Sequence, residues 1–256
     1  MQKQILAALS LAITALPVLA QTPEEKPADS RLYELRTYHA NEGKLDALLT
    51  RFRDHTCALF EKHGMENVAY FTPVDNKNNT LVYLLSYPDK AARERAWKEF
   101  HADPDWQKTY TESRNDGVLI SKVDQIFMSP TDFSAGFDHP AAEGNTRLIE
   151  IRTYTTPEGK LPNLHARFRD HTCALFEKHG ITNLGYFKPE GELGKNTLIY
   201  LIAHKDQGTA TKSWQTFRAD PIWIKAKAES EENGGGSLTT EVQSVFLKPT
   251  DFSPLK

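Results

Sequence analysis

Cysteine is scarce in this chain: two in 256 residues, Cys57 and Cys173. A disulfide framework needs more, and at conserved-looking spacings, so none is expected. Charge of one sign is also lacking. The 31 Lys and Arg nearly balance the 34 Asp and Glu, for a net charge of -3. No basic block interleaved with aromatics occurs, which argues against a nucleic-acid partner. Beyond the first twenty residues no stretch is apolar enough to span a bilayer. No His-x-x-x-His and no Cys-x-x-Cys pair exists, so no metal site is predicted. His55 and Cys57 are two apart and point to different sides of a helix. His55 and His63 are eight apart, too far for one ion. Gly234-Gly235-Gly236 lacks the following Lys-Ser or Lys-Thr of a phosphate loop. No serine-histidine-acid triad can be assembled from spacing.

What is present begins with a leader. Lys3 precedes an apolar run from Ile5 to Leu19, closed by the small residue Ala20. This layout predicts a signal peptide over residues 1–20, cut after Ala20, then a polar segment over 21–31. The expected location is secreted or periplasmic, with no stable membrane insertion after cleavage. No cysteine follows the run, so no lipoprotein anchor is expected.

The rest of the chain is an internal repeat. Residues 32–73 match 148–189 at an offset of 116, and Arg51 to Gly64 is identical to Arg167 to Gly180. The match continues through Trp97 and Trp214, Asp103-Pro104 and Asp220-Pro221, and Pro130 to Ser134 against Pro249 to Ser253. Two modules follow, 32–133 and 147–256, joined by a linker over 134–146 with scattered Gly, Pro and His. Each alternates strand and helix. Leu32 to Tyr38 reads as a strand. Leu45, Leu48, Leu49, Phe52, Leu59 and Phe60 form a helical stripe ended by Gly64. Asn67 to Phe71 and Leu81 to Tyr87 are strands, Lys90 to His101 a second helix, and Asp103 caps a further turn. Val118 to Met128 is the last strand. The order βαββαβ is the ferredoxin-like α+β unit. One such sheet leaves a face uncovered, and two modules in one chain can pack sheet to sheet as a pseudo-dimeric α/β barrel.

The strand Glu34-Leu35-Arg36-Thr37-Tyr38, the Glu42-Gly43-Lys44 that follows, the Phe-Glu-Lys-His-Gly helix end and the Ala-Asp-Pro-x-Trp turn resemble NIPSNAP domains in both halves. The resemblance covers roughly residues 32–128 and 148–247. That family is similar to the dimeric α/β barrels, which include cofactor-free monooxygenases, haem-degrading enzymes and isomerases. The resemblance thus implies a barrel and no predicted cofactor, with haem as an alternative by analogy. The secretory leader departs from the mitochondrial members of the family, so their intracellular roles do not carry over.

Alternation along the first strand places Leu32, Glu34, Arg36 and Tyr38 on one face, and Tyr33, Leu35 and Thr37 on the other. The second face stays apolar in the copy as Ile149, Ile151 and Thr153, and is expected to meet the helices. The first is expected to look into the space between the sheets. There Arg36, Tyr38, Tyr83 and their copies Arg152, Tyr154 and Tyr200 would line a ligand cavity, with Glu34 or Glu150 as base. The competing reading is an ion pair that closes the barrel. His55 and His171, at the edge of the helical stripe, are further catalytic candidates. Glu61 and Lys62 are retained in both copies, which hints at an interface on the helix. Two functions follow: a small-molecule binding protein or metal-free enzyme using the cavity, or a structural protein whose helix surface meets a partner or a second copy. Whether the chain is an enzyme stays open.

Overall fold

The computed structural model describes residues 29–137 and 147–256. The predicted signal peptide, most of the polar segment and the linker beyond residue 137 lie outside the described residues. Module 1 runs β1 (Leu32–Ala40), α1 (Leu45–Arg51), a π-helical turn (Phe52–Thr56), α2 (Cys57–Lys62), β2 (Glu66–Pro73), β3 (Thr80–Tyr87), α3 (Lys90–Ala102), α4 (Pro104–Glu112) and β4 (Ile120–Pro130). Module 2 repeats it: β5 (Leu148–Thr155), α5 (Leu161–Arg167), a second π turn (Phe168–Thr172), α6 (Cys173–Lys178), β6 (Thr182–Pro189), β7 (Thr197–His204), α7 (Gln207–Ala219), α8 (Pro221–Asn233) and β8 (Glu241–Pro249).

Local chemistry explains the boundaries. Asp89 caps α3 by accepting from the Ala92 amide at 2.7 Å. Asp103 caps α4 by accepting from the Asp105 amide, with Pro104 at its first turn. The single turn expected after Asp103 is a full helix of nine residues, and its copy α8 has thirteen. Gly64 ends α2 at φ +74°, and the Met65 amide donates back to the Phe60 carbonyl at 2.9 Å. That six-to-one bond satisfies a carbonyl the helix leaves open.

All eight strands close one barrel in the order β1-β3-β2-β8-β5-β7-β6-β4. The seams between modules are short. Phe71 to Pro73 pairs with Pro249 to Leu247, and Met128 to Pro130 with Pro189 to Phe187. The segment after each last strand then clasps the opposite module. Arg53 donates twice to Asp251 at 2.6 and 2.8 Å, and Arg169 does the same to Asp132. The Tyr70 amide donates to Ser253 Oγ, and the Tyr186 amide to Ser134 Oγ. The repeated Pro-Thr-Asp-Phe-Ser is therefore a reciprocal latch.

The two faces of the first strand are the reverse of the expectation. Leu35, Phe71, Val82, Leu84 and Met128 of module 1 meet Ile149, Leu184, Phe187, Ile199 and Leu201 of module 2 inside the barrel. Leu32, Tyr38, Tyr70 and Tyr83 instead pack under the helices with Leu48, Phe52, Phe60 and Trp97. The physical reason is sealing. Through the middle of the barrel the interior side chains are cut off from water by the closed sheet, and an unpartnered polar group there is costly. On the helix side α3 supplies partners. The space between the sheets is a packed apolar core rather than a polar cavity.

Candidate functional site

The polar residues of β1 and β3 meet in a seam between sheet and helices, once in each module. Glu34 is fully buried. Its carboxylate accepts from Arg36, from Arg93 at 3.0 and 3.1 Å, and from the Tyr87 hydroxyl at 2.9 Å. Trp97 Nε1 donates to that hydroxyl at 2.9 Å. The Arg36 guanidinium lies 4.5 Å from the Trp97 ring, a cation–π contact, and donates to Gln125 at 3.1 Å and weakly to Tyr38 at 3.4 Å.

Module 2 holds the equivalent carboxylate with different donors. Glu150 accepts from Arg152, from Ser244 at 2.6 Å and from Trp214 Nε1 at 2.8 Å, and lies 2.9 Å from His204 Nε2. Arg152 lies 4.4 Å from the Trp214 ring. Two donor sets converging on one buried carboxylate mean that saturation of the charge is what the fold requires.

Burial alone would raise both carboxyls. Arg93 and Arg36 more than offset it at Glu34 and hold it below the usual carboxylate range. His204, Arg152, Ser244 and Trp214 bring Glu150 to about 2. A carboxylate so held is a weak proton acceptor at neutral pH, which favours the ion-pair reading of Glu34 and Glu150 over the base reading. It is also a stability statement. The Glu150 contribution is fully present above its ordinary value of 4.5 and is lost as pH falls through about 2. Acid titration of the unfolding free energy should slope between those limits by roughly 3 kcal/mol. The slope should shrink in Glu150→Gln; an unchanged slope would assign acid sensitivity elsewhere.

Further along the seam, Tyr83 and Tyr200 are fully buried and stack on Tyr70 and Tyr186 at 5.4 and 5.2 Å. Burial pushes both phenols well above their ordinary value. Their hydroxyls make no hydrogen bond of good geometry, and the Tyr38 and Tyr154 hydroxyls are the groups that come near enough to interact with them. The structure thus brings Glu34, Arg36, Tyr38 and Tyr83 together, and likewise Glu150, Arg152, Tyr154 and Tyr200, on the helix side of the sheet.

His55 and His171 do not join them; both are exposed. The π turn widens the helix by a residue, with Thr56 Oγ1 bonding back to the Arg51 carbonyl at 3.1 Å, so a wheel drawn at 100° per residue slips there. His55 borders an open groove of about 350 Å³ with Asp54, Asp105, Lys108 and Glu112. Cys57 and Cys173 are free, half-buried thiols that burial pushes up to about 11. Among the described residues no cluster of three His, Cys, Asp or Glu side chains could hold a metal ion.

Sequence reasoning missed Arg51 and Arg167 as buried residues of the seam. Both are 4% exposed, their guanidiniums 5.3 Å from Trp106 and 5.4 Å from Trp223. The signal was their place in the identical segment, opposite tryptophans that recur in both copies.

Comparison with known proteins agrees with this architecture. The chain is 25% identical over 233 residues to protein NipSnap homolog 3B of Mus musculus, covering 90% of this chain and 88% of that one. A candidate monooxygenase of Fusobacterium nucleatum shares the fold, with a TM-score of 0.56 at 11% identity over 89% of this chain and 98% of the other. An anthrone oxidase-like protein does so with a TM-score of 0.55 at 10% identity, over 87% and 92%. The NIPSNAP family model matches residues 33–135 and 149–254, both modules almost end to end, and the chain belongs to the NIPSNAP family.

Proposed function

We propose that this protein is exported, to the periplasm or outside the cell, and there binds a small molecule in the helix–sheet seam, without a metal. The observation that carries the reading is the pair of orphaned phenols. A buried hydroxyl without a well-formed hydrogen bond costs up to about 1–3 kcal/mol, and Tyr83 and Tyr200 repeat it at equivalent places, each with one poorly aligned phenol nearby. Groups left so in both copies are the ones a ligand would satisfy. Among the described residues no helix is long and apolar enough to cross a membrane. The oxidase and monooxygenase names of the fold neighbours are not extended to this chain, because a likeness at 11 and 10% identity shows the fold alone.

The competing reading, a partner on the repeated helix surface, loses the feature that suggested it. Glu61 accepts from Asn67 at 3.0 Å, and Lys62 pairs with Asp103 at 2.7 Å. Glu177 and Lys178 do the same with Asn183 and Asp220. These residues are retained for internal bonds.

The test is native mass spectrometry of the full chain, expressed with its own leader and recovered from the exported fraction. The expected mass is that of residues 21–256 plus a small reproducible increment. Tyr83→Phe with Tyr200→Phe should lose the increment while unfolding no earlier than wild type. A bare wild-type mass, or an increment indifferent to both substitutions, would remove the seam as a binding site.

A further inference from the structure

The two seams differ at their outer ends. In module 2 the buried Arg167 has a carboxylate, Glu231, at 3.6 Å, although its Nε and Nη1 make no well-formed hydrogen bond, so the seams differ in counterion rather than in hydrogen bonding. The repeat places Arg114 where module 2 has Glu231, and Tyr110 where it has Lys227. Arg51 of module 1 therefore forms no ion pair with any described residue. Its one hydrogen bond from Nη1 is a long one to Ser113 Oγ, 3.3 Å, and its Nε is buried without a partner. Arg114 does not relieve it: the guanidinium lies 4.7 Å from the Tyr110 ring, which Arg51 also faces at 5.9 Å, and the Arg114 Nε is likewise buried and unpartnered. Two arginines thus address one half-exposed tyrosine ring. Burial pulls the Arg51 guanidinium below its ordinary value and the Arg114 charge adds to that pull.

A buried cation without a counterion, beside a second cation, is unfavourable unless something negative completes it. Guanidinium forks match the planar oxygens of carboxylates and phosphates. Tyr38 and Tyr83 act electrostatically on Arg51, so its charge reaches the buried Tyr83 phenol.

We propose that the module 1 seam takes a small molecule bearing a carboxylate or phosphate, held by Arg51 and Arg114, and that the module 2 seam holds no anion because Glu231 occupies the anion's place. This rests on the seam being a binding site. It adds the ligand's charge class and a stoichiometry of one anion per chain.

The test uses the mature chain with benzoate and inorganic phosphate as probes and benzamide as the neutral control, read by calorimetric titration and thermal shift. Wild type should bind benzoate, phosphate or both at one site per chain and ignore benzamide. The stronger of the two identifies the oxyanion. Arg114→Glu copies the arrangement of module 2, so it should fold, and it should weaken binding by about tenfold to a hundredfold. Glu231→Arg should raise the stoichiometry to two. Binding that survives Arg114→Glu, or two sites in wild type, would overturn the proposal. Should neither anion bind while a neutral compound is retained in native mass spectrometry, the anion assignment fails and the seam reading stands. Should nothing bind or be retained, both fail.

Discussion

Replacing Glu34 by leucine is expected to lower stability by about 3–5 kcal/mol, the range for removing one partner of a buried ion pair. The loss is not that of a single bond. Arg36 is 8% exposed, and both it and Arg93 direct their guanidiniums at this carboxylate, as does the Tyr87 hydroxyl. Without Glu34 two cations are stranded under α3. In a chain of this size each kcal/mol moves the thermal midpoint by roughly 2–4 °C, so the change should be plain in a calorimetric scan. The triple substitution Glu34→Leu with Arg36→Met and Arg93→Met should recover much of the loss, because apolar replacement of a whole buried ion network is often neutral. Recovery would establish that the network serves packing. A single substitution costing under about 1 kcal/mol would show the network to be dispensable, as exposed ion pairs are.

The second large effect concerns the barrel interior. Leu84 is wholly buried there, with Leu35, Phe71 and Leu201 in the same core. Leu84→Asn keeps the branching of the side chain but is smaller, forfeits about 1.5–3 kcal/mol of apolar burial and adds roughly 1–3 kcal/mol for an amide without partners. The same change at Val123, 41% exposed on β4, should fall within about 0.5 kcal/mol of wild type. Urea midpoints of the two variants make the comparison. If Leu84→Asn unfolds alongside wild type, the interior admits water and the polar cavity first expected between the sheets returns.

Much of this protein was decided by local sequence. The offset of 116 residues, the alternation in β1, the glycine after α2 and the Asp-Pro before α4 are short-range signals, and strands, helices and modules follow from them. The membership of Glu34, Arg36 and Tyr38 in one face was equally legible, because side chains alternate along any strand. Which side of the sheet that face meets was not. Both sides of β1 are buried, so hydrophobicity could not choose between them. The choice came from α3, which brings Arg93 and Trp97 over Glu34 and Arg36, contacts 59 and 61 residues away in sequence. The position of Arg51 was hidden for the same reason, since its burial depends on Trp106 and its lack of a counterion on Arg114, both on or just after another helix. The latch was visible only as a repeated Pro-Thr-Asp-Phe-Ser. That Asp251 reaches Arg53 across the module boundary needs the closed barrel, because only closure brings the end of one module beside the first helix of the other.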